Sequence, residues 1–431
     1  MKSVQFRILA PACHGLAQNR GLQLTMNRDL TLVIAARFVS RAGGAAAFFV
    51  GTWGVAAYVF KATAAQLAWM SAGNAVAGIA GTLVAGVLVD RVGPRTVLIA
   101  AELLTVPAVI AMSFAPTFPL FVLCSMGFSL VGVPTFTAGA AFAPFLVSGK
   151  EQLERANALI EAAGSAGFVL GPAVGALVSQ AFGVRAVFWV MAAAALAAVA
   201  FAWFVRIEQA PKPAVGRHPL AELRAGLRVS YTTPSLRYFI LLGSLGWFGF
   251  GAFAALEPLF YRDAVGVGVE WIGYMNTVFG AGLVTGAWLL PRLPGRVVSA
   301  RGAALLVALM GIGAVGYVGT TSLWLIAIGA ALWGTVIGAA DPLLRTLIHL
   351  DSPHEYVGRV VGTAQYHRSL GELVPLALAP GLAALFGVQP VMIAGGVVVC
   401  AVALASWGVA MRLDRVRDEA AGPPVPEPAA A

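Results

Sequence analysis

Twelve apolar runs separated by short polar turns dominate this sequence and leave few folds open to it. They cover roughly residues 30–59, 66–89, 96–115, 119–147, 157–181, 185–205, 238–261, 269–290, 302–319, 322–348, 360–386 and 389–411. A helix needs roughly 20 apolar residues to cross a bilayer. Charged residues make up 11% of the chain, against about 25% in soluble domains. With 59% hydrophobic residues, a water-soluble chain would have no means of covering its surface. The expectation is an all-α membrane protein of twelve transmembrane helices.

Charge placement gives the orientation. The net charge is +9. Arg91, Arg95, Lys150, Arg155, Arg206, Arg224, Arg228, Arg237, Arg292, Arg296, Arg301, Arg359, Arg412, Arg415 and Arg417 all fall on one predicted side. Only Lys61, Arg185 and Arg262 fall on the other. By the positive-inside rule the crowded side is cytoplasmic, both termini are inside and the number of spans is even. No basic patch interleaved with aromatics suggests base stacking, so nucleic acid is not an expected partner. Cys13, Cys124 and Cys400 have neither metal nor disulfide spacing. Residues 1–28 are basic and weakly apolar with no cleavage signal, and read as a cytoplasmic tail.

The longest polar segment lies between the sixth and seventh runs. It divides the chain into a six-helix bundle at 29–206, a cytoplasmic connector at 207–236, a second bundle at 237–411 and a disordered tail at 412–431. Within the connector, Ala221 to Arg228 is expected to form a short amphipathic helix on the inner surface, its arginines favoured by anionic lipid. The halves are faintly self-similar. Gly73, Gly78, Gly81 and Gly86 precede one basic turn, and Gly273, Gly280, Gly282 and Gly286 precede the corresponding turn at Pro291–Arg296.

Two motifs carry specific information. Gly86-Val-Leu-Val-Asp90-Arg91-Val-Gly93-Pro-Arg95 places a carboxylate, two arginines and a glycine turn between two spans. Gly167-Phe-Val-Leu-Gly171-Pro172-Ala-Val-Gly175-Ala places glycines four apart beside a proline that removes one helix hydrogen bond. The first resembles the loop between helices two and three of major facilitator superfamily transporters, with Pro94 in place of a basic residue. The second resembles the antiporter motif of drug exporters in that superfamily, with Ala176 in place of the last glycine. Further segments, among them Arg155-Ala-Asn-Ala-Leu159 and Gly358-Arg-Val360, resemble its macrolide-efflux and enterobactin-exporter branch, a group of drug:proton antiporters. The resemblance spans about residues 30–411. It implies two six-helix halves around a midplane site, export, and a conformational latch at Gly86, Asp90, Arg91, Gly93 and Arg95 that joins the halves when the transporter faces outward. The bland alternative for that loop is a topological charge cluster.

Ionisable groups inside a bilayer are costly and are functional candidates by default. Arg37 and Arg41 share a face of the first helix and either pair with Glu161 or Glu102 or face a water-filled cavity. Glu257 is placed near the outer end of helix seven. Asp341 and Arg345, and Arg368 and Glu372, are four apart and able to pair. A proton carrier requires a buried carboxylate or His, which points to Glu161, Asp341, His367 and Glu372. Substrate-cavity candidates are Arg37, Arg41, Trp53 and Trp247.

No nucleophile elbow, Walker loop or metal-ligand spacing occurs. No enzyme activity, cofactor or metal is expected, and energy would come from an ion gradient. The leading expectation is a monomeric, proton-coupled exporter of small amphipathic molecules in a bacterial inner membrane. The alternatives are an importer or facilitator of a polar anionic metabolite using Arg37 and Arg41, and a non-transporting receptor or partner protein.

Overall fold

The computed structural model describes residues 27–147, 149–206, 219–353 and 355–421. Among these no strand occurs. Eleven helices are long and apolar enough to cross a membrane: α1 (Arg28–Val59), α2 (Ala64–Val92), α3 (Pro94–Phe114), α4 (Phe118–Ala140), α5 (Lys150–Phe182), α6 (Val184–Trp203), α7 (Pro234–Val265), α9 (Ala300–Val318), α10 (Leu323–Asp351), α11 (Val357–Phe386) and α12 (Val388–Ala405). The helix between α7 and α9, α8 (Glu270–Leu289), matches them in length. Its apolar character is diluted by Glu270, Asn276 and Thr277, and it completes the expected twelve.

Local chemistry sets the boundaries. Asn27 caps α1 by accepting from the Asp29 amide. Thr63 and Gln66 form a reciprocal capping box on α2, which satisfies two otherwise orphaned amides. Gly183 and Gly387 end α5 and α11 with φ of 86° and 87°, a backbone region that favours glycine. These turns occupy the same place in the two halves. The packing repeats as well. Helix α1 packs on α5 and α6 as α7 packs on α11 and α12, and α4 joins α2 to α3 as α10 joins α8 to α9. The halves meet mainly through α5 against α8 and α2 against α7 and α11. The start of α1, the α6–α7 connector and the end of α12 share one end of the bundle, here called the connector end; the other is the distal end.

Several boundaries differ from expectation. Helix α4 stops at Ala140, followed by a separate turn at Ala143–Leu146. Helix α12 stops at Ala405 rather than near 411. The Ser406 hydroxyl bonds back to the Ala403 carbonyl at 2.7 Å, the kind of side-chain competition that interrupts helices. A terminal helix, Trp407–Ala421, follows. Residues 412–421 are therefore helical rather than disordered, and Asp414 explains why. It accepts from the Ala300 amide at 2.7 Å and the Arg301 amide at 3.1 Å, capping α9, and pairs with the Arg301 guanidinium at 2.7 Å. The connector contains a helix, Pro219–Thr232, packed on α11. The expected tails at 1–26 and 422–431 and the connector stretch 207–218 lie outside the described residues.

Candidate functional site

The distal halves of both bundles line a central chamber. Its walls come from seven helices, α1, α5 and α7 to α11. Helix α1 widens to π-helical turns at Ala46–Thr52 and Val55–Val59, and α7 does so at Phe260–Val265. On α1, Phe48, Phe49 and Trp53 line the chamber opposite Phe250 and Phe253 of α7. Trp333 of α10 stands among rings, with centroids 4.6 Å from Phe253, 5.2 Å from Phe279 and 5.5 Å from Tyr317. Two carboxylates, Glu257 and Glu372, reach the same space. Glu257 accepts from the Tyr317 hydroxyl and, at 3.4 Å, from Asn276. Tyr317 in turn accepts from Tyr261 at 2.6 Å. Glu372 makes no hydrogen bond or ion pair within the limits of either among the described residues.

Among the described residues, the hydrogen bonds between the halves lie at the distal end. Arg262 donates to the carbonyls of Ala57 at 2.6 Å and Ala62 at 3.2 Å, Tyr58 donates to Val267 at 3.1 Å, and Tyr274 donates to Gln180 at 3.0 Å. A glycine seam supports them. A Cβ placed on Gly273 of α8 would lie 2.4 Å from the Pro172 carbonyl of α5, so the helices touch backbone to backbone there, as small residues permit in membranes. Nothing comparable joins the halves around Asp90. Its side chain is exposed and unpaired among the described residues, and a Cβ on Gly86 would meet nothing within 4 Å. No close helix contact forms at Gly86 in this conformation. Gly93 makes the expected turn with φ 83°. Arg91 is exposed, while Arg95 donates to the final carbonyls of α6, Ala202 at 3.2 Å and Trp203 at 2.6 Å. It thereby caps a helix C-terminus within its own half.

The path from the chamber to the connector end is marked by charge. Two turns along α5 from Phe168, on the same helix face, Glu161 pairs with Arg37 at 3.4 Å, and its side chain is 58% exposed. Arg37, almost wholly buried, also donates to the Phe136 carbonyl at 2.9 Å. Arg41 lies over the rings of Phe136 and Phe168. The sequence left the partner of Arg37 open between Glu161 and Glu102, and it is Glu161. Glu102 is fully buried between α3 and α1 and accepts from Ser40 instead. Across the path, Asp341 accepts from Arg345 at 3.1 Å and from Arg368 at 2.9 Å. The anticipated Arg368–Glu372 pair does not form, since Asp341 and the Trp247 ring, 3.5 Å from the guanidinium carbon, hold Arg368.

Of the cavity candidates, Trp53 lines the chamber, and Trp247 lines a second hollow of about 730 Å³ on the connector side with Asp341, Arg345 and Arg368. His367 lines neither. Its Nδ1 donates to the Thr363 carbonyl at 2.8 Å, so its Nε2 accepts from Tyr231 of the connector helix. The glycines of the second motif pack α5 on α1. Cβ atoms on Gly167 and Gly171 would lie 2.5 Å and 2.3 Å from α1 carbonyls, and one on Gly175 3.2 Å from Ala46. Pro172 sits within the unbroken α5. Sequence reasoning missed Glu257 as a chamber residue because α7 continues beyond 261 to Val265. That extension moves Glu257 from the expected membrane rim to the chamber wall.

Comparison with known proteins agrees with this architecture. Relatives include the multidrug efflux pump Tap of Mycolicibacterium fortuitum, 26% identical over 84% of this chain and 92% of that protein. The enterobactin exporter EntS of Shigella boydii is 26% identical over 71% of this chain and 74% of its own. Among solved structures, a point mutant of the nucleoside transporter NupG superposes with a TM-score of 0.72 at 13% identity, covering 88% of this chain and 98% of that one. A bacterial homologue of the human lysosomal transporter Spinster superposes with a TM-score of 0.64 at 15% identity, covering 91% and 98%. The sequence profile of the Major Facilitator Superfamily matches residues 33–375. Two related six-helix halves around a central chamber, with that match across most of the sequence, place the chain in the Major Facilitator Superfamily as a multi-pass membrane transporter rather than an enzyme.

Proposed function

We propose that this transporter is a proton-coupled exporter of small amphipathic molecules that works by alternating access. The observation that carries the reading is asymmetry. The halves are bonded to each other at the distal end, while Asp90, Glu161 and the hollow beside Trp247 are open toward the connector end. The positive-inside rule makes the connector end cytoplasmic in a bacterial inner membrane. On that orientation the chamber takes up its cargo from inside the cell. The efflux-pump relatives favour export, and the α5 glycine–proline motif supports it.

Of the four candidate proton carriers, Asp341 is held by two arginines and His367 uses both ring nitrogens on protein partners. Glu161 is paired with Arg37. Glu372 reaches the chamber without such a partner. Protonating it removes a charge whose burial is costly when the halves close on it, which ties closure to proton uptake. Asp90 would join the halves in the opposite conformation, where α2 and α11 approach at the connector end. The protein acts as a monomer, since one chain encloses the whole chamber.

The test is flux in everted membrane vesicles with an imposed pH gradient. Uptake of a fluorescent amphipathic dye that collapses on adding a protonophore, and is lost in Glu372→Gln, is the expected result. Flux indifferent to the gradient would overturn proton coupling. Arg41 has no carboxylate within ion-pair distance among the described residues, and this keeps import of an anionic metabolite as the second reading. Accumulation in right-side-out vesicles instead of everted ones would select it.

A further inference from the structure

We infer that the chamber binds lipophilic cations, with Glu257 as the ligand for the positive centre and the ring cluster around Trp333 as its apolar and π-electron wall. The inference rests on the transport reading of the chamber and goes further by naming its substrate class. Three observations carry it.

First, the chamber wall is dominated by aromatic rings and includes no Lys, Arg or His. Aromatic faces attract cations through their quadrupole, and cages of such rings are a recurrent way to hold quaternary ammonium groups. Second, the two acidic side chains on that wall, Glu257 and Glu372, have no basic side chain beside them in the lining. Third, Glu257 is fixed for the task. Tyr317 and Asn276 orient its carboxylate, and Tyr261 in turn orients Tyr317, so the acid is preorganised instead of mobile.

The neighbouring cations lie outside that wall and have acids of their own. Arg368 and Arg345 share Asp341, which leaves that cluster one positive charge on the connector side, while Arg37 is bonded to Glu161 and Arg262 to Asp263. Arg41 stands beyond Phe168, on the connector side of the chamber, and lies over that ring. The path is thus graded from an arginine-bearing entrance with its own carboxylates to a purely acidic and aromatic interior. An anion meets its favourable partners before the chamber and unfavourable ones within it. A compact, weakly hydrated cation experiences the reverse, and the water-excluding rings strengthen its attraction to Glu257.

Tetraphenylphosphonium and tetraphenylborate test this directly, because they share shape and size and differ in sign. Binding of each to the purified full-length protein in nanodiscs, corrected for partition into protein-free nanodiscs, can be followed by calorimetry and by quenching of tryptophan fluorescence. The phosphonium should bind at least tenfold more tightly than the borate. Glu257→Gln should weaken the phosphonium at least tenfold and leave the borate unchanged, while Glu154→Gln, at a surface carboxylate beside Lys150, leaves both unchanged. Equal binding of the two ions, no phosphonium binding, or a folded Glu257→Gln variant with unaltered affinity would each overturn the assignment. If that variant does not fold, the comparison of the two ions on the unaltered protein decides alone. Neither measurement uses a gradient. Lost cation preference with intact dye flux would sink only this inference, and retained preference without flux would sink only the export reading.

Discussion

Replacing Gly273 with alanine should shift the transporter toward the conformation open at its distal end. The added Cβ would lie 2.4 Å from the Pro172 carbonyl oxygen, 2.7 Å from Val50 Cγ2 and 2.8 Å from Ala176 Cβ. All three belong to the other half of the molecule. Relieving them requires α5 and α8 to separate by about 1 Å, given ordinary contacts near 3.5 Å. Overpacking of this kind costs about 1–3 kcal/mol. The whole cost falls on the closed distal end and none on either half alone, so the population ratio should change roughly 5- to 150-fold. Spin labels at the exposed Thr117 and Thr321, on distal loops of opposite halves, report the separation through dipolar coupling. A longer-distance population should grow in Gly273→Ala. Gly334→Ala is the control: its Cβ would meet the Phe279 carbonyl at 2.1 Å within one half, and should lower thermal stability without altering the distances. An unchanged distance distribution in a folded Gly273→Ala protein would refute the seam as a determinant of the equilibrium.

Three further outcomes are expected. Asp90→Asn should slow turnover in proteoliposomes with little loss of substrate affinity, and unaltered transport would reject the latch assignment. Asp414→Ala removes two amide caps and one ion pair from the start of α9, and should destabilise the protein by about 1–3 kcal/mol, measured by thermal unfolding in detergent. Tyr231→Phe removes the bond to His367 and should raise hydrogen exchange in the connector helix while leaving that of α11 within error.

The bundle was legible because hydrophobic length and cationic turns are one-dimensional properties. The range 66–89 found α2 within three residues of its bounds, and 389–411 found the start of α12 within one residue but overran its end by six. Contacts across the bundle were less accessible. Spacing of four suggested that Arg368 pairs with Glu372, but α10 brings Asp341 nearer, and a tertiary neighbour outweighs a helical one. The π-helical turns at the distal end of α7 carry no strong residue signature, so the position of Glu257 followed only from the folded chain. His367 looked like a proton carrier on composition alone. Its role against Tyr231 depended on where a helix of the connector docks.

The distal contacts between the halves also limit how the machine can be driven. Among the described residues four hydrogen bonds join them, each worth about 0.5–1.5 kcal/mol net, or roughly 2–6 kcal/mol together. A passenger bound at micromolar affinity releases about 8 kcal/mol, so its recognition energy exceeds that clasp. What counts is how differently the two forms hold the passenger, and offsetting a clasp of this size takes an affinity ratio from roughly 30 to roughly 30,000 between the two forms. A compound that both forms grip equally leaves the equilibrium where it lies, however tightly it is held.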